Sequence, residues 1–558
     1  MKTTHSLLLC FLAFGLSACS TVQTRVTPTD RASERALAKL QKTQPTSAME
    51  WLERGRRGGA EESQRLAAFT QAARLALPGA LKNQSPDVLV YDAAVREVVA
   101  LLQTKSFVTQ RLNDVPGLTS VSVRKSGKGL FDPSIAAELI PSSRIQIRGL
   151  MERVTRPGFG VAYTAWLPKD APSLSSQPGI PNTGMGWALT ALLTFSGPEA
   201  RLQFVKAIDH ETWTVQNRQT AIAADFSAPL AIVLSRGKNR AIDVGAMFRS
   251  DALVDSARLL QFQPYDPQKI PVVFVHGLLS RPEAWTQALN LLMADPQIRH
   301  RYQFWFFLYP TGLPVWQSTA ILRQELERYD EVLNRSARSP LLKEKVLVGH
   351  SMGGLISSLL VRQAGDKWWK QFSDRSIDEI NLEPEVRQAV KELVYFTPRG
   401  DVDRVVFMAT PHRGSPIALR SFAGFIANLI RLPISPIQQN SFELLNAMRD
   451  DARDIFRLPN NSIRFLRAES PLLLSILHLP LAHPIPLHTI LGTRGIPVPI
   501  EKSSDGIVPY WSSHLPATVS EKAVPSGHGV NENRQGIEEL ARILKLNTAE
   551  RTKKSSLN

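Results

Sequence analysis

The sequence predicts an α/β second half, a mostly parallel sheet covered by helices, preceded by an α+β region. Three observations point to it. Before residue 103 apolar residues recur at helical spacing; from about Val115 to Leu234 they alternate with polar neighbours; after Phe262 short continuous apolar runs alternate with helical patterns. Continuous apolar strands imply burial on both faces, and hence a parallel sheet flanked by helices. The size and composition agree. The chain has 558 residues, 43% hydrophobic and 21% charged, which suits a folded protein of several domains and excludes wholesale disorder. No apolar run reaches the roughly 20 residues that a membrane-spanning helix requires.

Taken in order, the elements begin with a leader. Lys2 precedes the ten-residue apolar stretch Leu7–Leu16, too short to span a bilayer, so residues 1–18 read as a secretory signal. It ends in Leu16-Ser17-Ala18-Cys19, which resembles the lipobox of bacterial lipoproteins. The resemblance implies cleavage before Cys19, diacylglycerol on its sulfur, and, with Ser20 following, an outer-membrane destination in the cell envelope. Residues 19–29 would be a tether. The two cysteines are Cys10 and Cys19, so the body of the protein is expected to hold no disulfide and no thiolate metal site.

Residues 30–260 form the expected accessory domain. Leu66, Phe69, Ala73 and Ala76 mark one helical stripe and Val95, Val98, Val99 and Leu102 another, read as the core face of a helical hairpin within 30–110. The strand-rich part, 115–250, shows Val121/Val123, Ile145/Ile147, Leu202/Phe204, Trp213/Val215 and Leu230/Ile232/Leu234 as half-buried strands. Pro168–Gly186 reads as a loop. No chemical motif falls in this domain, which leaves scaffolding or an envelope protein partner as its expected role.

The second domain, 261–548, carries the apolar runs Val272–Val275, Phe304–Leu308, Val346–Val348, Val405–Met408 and Thr489–Leu491. Ligands in such sheets bind at the carboxyl ends of strands, and the motifs follow these runs. Gly349-His350-Ser351-Met352-Gly353 sits after a buried strand and before Leu355, Ile356, Leu359 and Leu360 at helical spacing. Strand, tight turn and helix are the context of a nucleophile elbow, which would present Ser351 at the top of the sheet. Another strand ends in His276-Gly277, where the glycine allows a sharp turn. A serine nucleophile needs a base, and the base an orienting acid. Asp505, in Ser503-Ser-Asp-Gly-Ile-Val-Pro509, follows a strand; Asp401 and Asp403, its rivals, precede one. Downstream of Asp505 the histidines are His514 and His528, the latter in the glycine-flanked loop Ser526-Gly-His-Gly529.

The runs VFVHGLL, VLVGHSMGG, FMATPHRGS, DGIVP and GHG, in this order, resemble the lipase/esterase branch of the α/β-hydrolase superfamily, and within it the lipid deacylases that are similar to GPI inositol-deacylases. The resemblance spans roughly 265–548. It implies an α/β-hydrolase fold, a catalytic set of Ser351, Asp505 and His528, and an oxyanion hole from the backbone N–H groups of Leu278 and Met352. His276 would brace its loop, His350 would pack within the elbow, and His412 would line the pocket or serve a structural role.

Between Gly414 and Pro486 lie 73 residues rich in aliphatics, with Phe422, Phe425, Ile426 and Leu429 at helical spacing and the run Pro471–Leu477. They read either as a lid over Ser351 or as a helical subdomain packed on the sheet. Residues 549–558 read as a basic tail. The expected activity is serine-dependent cleavage of carboxylic esters, lipid or long-chain; an acyltransferase on the same residues, or an envelope scaffold retaining the domain, are the alternatives. No metal, cofactor or nucleotide is expected, since no metal-ligand or phosphate-loop motif occurs. Net charge is +16, and residues 1–250 hold 30 basic and 19 acidic residues. With no nucleic-acid motif, this excess reads as a solvated basic surface or as attraction to an anionic membrane face.

Overall fold

The computed structural model describes residues 22–43, 46–112, 115–236, 257–336, 339–416, 442–450, 452–453, 465–468, 470–481 and 483–557. The leader and Cys19 therefore lie outside the described residues, as do Phe422, Phe425, Ile426 and Leu429. Among the described residues, no helix is long and apolar enough to cross a membrane.

The first half opens with a short strand, Gln23–Val26, in the segment read as a tether; it pairs antiparallel with Ile145–Arg148. Four helices follow, Arg31–Thr43, Ser47–Arg56, Glu62–Ala80 and Ser85–Thr104, where the sequence suggested a hairpin. Both apolar stripes are buried. They cover a mostly antiparallel sheet whose central strands are Val161–Leu167, Met185–Ser196 and Glu199–Lys206. Tyr91 pins helix to sheet: its hydroxyl donates to the Leu193 carbonyl and accepts from the Leu193 N–H, both at 2.9 Å.

Two expectations are corrected here. Leu230, Ile232 and Leu234 lie in a helix, Ser227–Arg236. Its residues 227 to 232 are consecutively buried, so a period-two reading of three positions could not distinguish it from a strand. The Asp225 carboxylate accepts the Ala228 N–H at 2.8 Å and so caps its first turn. The loop 168–186 is shorter than expected, because Met185 already begins a strand.

The second sheet has seven strands: β1 Arg258–Gln261, β2 Ile270–Val275, β3 Tyr302–Leu308, β4 Lys345–His350, β5 Val402–Met408, β6 Leu487–Gly492 and β7 Ser520–Val524. Their order is β1-β3-β2-β4-β5-β6-β7; β1 runs antiparallel and all the others parallel. The domain thus begins before residue 261, since β1 completes this sheet. It ends in the helix Arg534–Leu557, which takes in most of the expected tail. Alternate residues of β2 serve two cores: Val273 and Val275 pack with the helices Val315–Ser336 and Met352–Leu360, while Val272 and Phe274 pack with the helix Thr286–Leu292 on the other face. The helix Pro471–His478 buries Leu472, Leu473 and Ile476 in the first of these cores.

The halves share the second core, in which Ala188, Ala207 and Phe226 meet Phe274, Trp285 and Ala288. Polar bonds reinforce it. Asn290 donates to the Glu152 carbonyl at 2.9 Å and its side-chain oxygen accepts from the Ser227 hydroxyl at 2.6 Å. Gln287 donates to the Gly149 carbonyl at 2.7 Å. Lys269 pairs with Asp209 and Arg299 with Glu211, at 2.8 and 2.5 Å.

Candidate active site

Strand β4 ends at His350, and Ser351 turns the chain with φ 54° and ψ −124° before the helix beginning at Met352. A non-glycine residue at positive φ is strained and needs its surroundings to hold it. The Ser351 N–H donates to the Met408 carbonyl at the end of β5, at 2.9 Å. The flanking glycines are required by close approach: a Cβ at Gly349 would sit 2.5 Å from the Gly353 carbonyl oxygen, and one at Gly353 would sit 2.2 Å from that of Val275. Gly277, after β2, brings the next loop against the serine, since a Cβ there would stand 2.9 Å from Ser351 Cβ.

Ser351, His528 and Asp505 converge at the carboxyl end of this sheet. His528 Nε2 lies 2.9 Å from Ser351 Oγ, and Nδ1 lies 2.8 Å from Asp505 Oδ2. A carboxylate only accepts, so Nδ1 carries the proton toward Asp505 and Nε2 faces the serine hydroxyl as an acceptor. Asp505 is buried, and its other oxygen accepts the N–H groups of Ile507 and Val508 at 2.8 and 2.6 Å. The carboxylate is thereby fixed with one oxygen left for the ring. This arrangement can withdraw a proton from Ser351 as it attacks a carbonyl.

The rivals are engaged elsewhere. His514 Nδ1 contacts Glu521 at 2.8 Å. Asp401 pairs with Lys345 and Arg399, and Asp403 with Arg551 at 2.9 Å. Leu278 follows Gly277 and is half-buried; Met352 is the buried first residue of its helix. An N–H in that first turn has no partner within the helix.

The supporting histidines have distinct places. His276 is buried, and burial pushes its ring down to about 4. Its Nδ1 donates to the Gly277 carbonyl at 3.0 Å, it stacks on Tyr309, and its own carbonyl accepts the Tyr309 hydroxyl at 2.7 Å. His412 is also pushed to about 3 by burial, with its ring edge-on to Phe407. His350 does more than fill the elbow: its Nε2 lies 2.8 Å from the His528 carbonyl oxygen. That oxygen only accepts, so His350 is the donor, and burial, pushing it to about 3, keeps the ring neutral. Neither this bond nor that of Tyr309 is legible from residue types, because each partner is a backbone oxygen distant in the chain. The same holds for Asn531, just beyond the His528 loop, whose amide donates to the Ala284 carbonyl at 2.9 Å.

A family model described as an alpha/beta hydrolase family matches residues 272–542. Among solved structures, the mature form of the Bacillus licheniformis lipase BlEst2 is 18% identical over 49% of this chain and 91% of that one, with a TM-score of 0.28. A lipase-esterase related protein from Clostridium acetobutylicum is 12% identical over 52% and 98%, with a TM-score of 0.26. An inhibited esterase B from Lactobacillus rhamnosis is 13% identical over 54% and 84%, with a TM-score of 0.30. No curated protein matches the sequence. The family match agrees with the parallel sheet and the strand–serine–helix turn: residues 272–542 are similar to the alpha/beta hydrolase family and have its fold.

Proposed function

We propose that the protein is a serine esterase acting on lipid or other long-chain acyl esters. The observation that carries this reading is Ser351 Oγ at 2.9 Å from His528 Nε2, with Asp505 on the opposite ring nitrogen. Ser351 attacks the ester carbonyl while His528 takes its proton; His528 then protonates the leaving alkoxide, and water releases the acyl group by the same route. Asp505 holds the ring and stabilises the imidazolium. The Leu278 and Met352 amides receive the negative charge of the tetrahedral intermediate. The preference for long acyl chains is supported by the lipid-deacylase resemblance and by the aliphatic character of the 414–486 insertion. Anchoring to the envelope through acylated Cys19, with the outer membrane as destination, is supported by the lipobox-like Leu16–Cys19.

Hydrolysis of p-nitrophenyl esters from acetate to palmitate, in parallel with fluorophosphonate labelling, tests the reading. The parent should label and turn over, faster with longer chains, and Ser351→Ala should do neither. Equal turnover by Ser351→Ala would refute it, and rates confined to acetate and butyrate would refute the long-chain preference.

A further inference from the structure

The loop joining β6 to the acid segment is apolar in the wrong place. From Arg494 to Lys502 every residue is exposed, in the order Arg494-Gly-Ile-Pro-Val-Pro-Ile-Glu-Lys502. Ile496, Val498 and Ile500 are 44%, 43% and 38% exposed. Trp511, 40% exposed, stands in the short helix Tyr510–Ser513 that packs against the turn Ile500–Lys502. Single surface aliphatics are ordinary, but four of the ten large exposed apolar residues among the described residues fall between 496 and 511.

The loop is stiff and joined to the catalytic rim. Pro497 and Pro499 fix its backbone angles, so little chain entropy is left to lose on contact. The Lys502 and Ser503 N–H groups close its far end on the Pro499 and Ile500 carbonyls, at 2.9 and 3.0 Å. At the near end the Arg494 N–H donates to the Ser526 carbonyl at 2.8 Å, two residues before His528, and Arg494 Nε donates to the Ser504 carbonyl at 3.1 Å, beside Asp505. The loop is therefore tied by hydrogen bonds to the segments that carry His528 and Asp505.

The chemistry favours lipid over a protein edge. The prolines remove two N–H donors that a partner strand would need. Arg494 and Lys502 bracket the aliphatics, and Arg413 reaches the Trp511 carbonyl at 2.9 Å; Glu501 is the one acid within the 494–502 stretch. Aliphatic tips with a tryptophan, flanked by Arg494 and Lys502, match the boundary between acyl chains and anionic headgroups. We propose that the Arg494–Lys502 loop, with Trp511, docks the protein on an anionic phospholipid surface and sets the mouth of the Ser351 site against the layer that holds its substrate. The proposal rests on the lipid-ester reading above.

The test uses the full chain carrying Cys19→Ser, so that no acyl group attaches, with and without Ile496→Ser, Val498→Ser and Ile500→Ser together. Co-sedimentation with mixed phosphatidylethanolamine–phosphatidylglycerol vesicles should fall about tenfold or more in the triple variant. Turnover of a long-chain ester held in those vesicles should fall with it, while turnover of water-soluble p-nitrophenyl butyrate is unchanged. Lys502→Glu should weaken binding to these vesicles and leave binding to pure phosphatidylcholine as it was. Unchanged co-sedimentation of the triple variant overturns the proposal. Should that variant also lose butyrate turnover, Val498→Ser with Trp511→Ala replaces it under the same criterion. A parent that sediments with vesicles but hydrolyses no ester would refute the esterase reading and leave the docking standing.

Discussion

His350 and Asp505 constrain the same imidazole from two directions. Asp505 fixes the ring through Nδ1, and His350 fixes the backbone that carries the ring through the His528 carbonyl. A displacement of the base by about 1 Å can cost two orders of magnitude in rate. His350→Leu, which removes the donor, should therefore lower kcat on a soluble ester about ten- to a hundredfold with KM little changed. His350→Asn, which keeps an N–H on a shorter arm, should recover part of the loss. Steady-state kinetics of the two variants checks this; a loss in KM alone, or an Asn variant as poor as Leu, would assign His350 a packing role only. The cluster of Ser351, His528 and Asp505 was legible because each member sits in a distinctive setting: a serine in a glycine turn after an apolar strand, an acid after the next strands, a histidine between glycines. The second constraint was not legible. Its acceptor is a main-chain atom 178 residues away, and nothing in the residue types near either end records it.

At the scale of elements, strands β2, β4 and β5 were readable because burial on both faces leaves no polar position in the apolar stretch. The helix Ser227–Arg236 was not, because a short helix buried on several sides shows the same apolar density as a strand. The turn Val530–Glu532, just beyond the His528 loop, makes a prediction of its own. Burial pushes the Glu532 carboxyl up from 4.5 to about 7. The folded state then holds its proton more tightly than the unfolded chain does, so the stabilisation is fully present below about 4.5 and is lost as pH rises toward 7. Glu532→Gln, which is neutral at every pH, should raise Tm above that of the parent at pH 8 and leave it nearly unchanged at pH 4. Thermal melts at the two pH values check this, and an equal shift at both would attribute the change to packing instead of charge.

For the whole molecule, the sequence divided the chain by texture, and the texture was sound: helices first, alternating strands next, continuous strands last. What it could not convey is how the two halves are joined. The join is made by side chains such as Asn290, Gln287 and Ser227, whose partners lie far off in the chain, and by apolar residues that look like any other core. The helix Thr286–Leu292 belongs to the turn that follows β2 and the Leu278 loop, yet it is bolted to Gly149 and Glu152 of the other half. Calorimetry should accordingly record one melting transition, with agreement between calorimetric and van't Hoff enthalpies; two separated peaks would contradict it. The common core also changes what a dissection means. Cutting at the start of β1 would strip Ala188, Ala207 and Phe226 from around Phe274 and Trp285, leaving a greasy wound where a domain boundary was assumed. An inert fragment made that way would report a broken interior, not a missing activator, and the first half is better understood as one wall of the enzyme than as its companion.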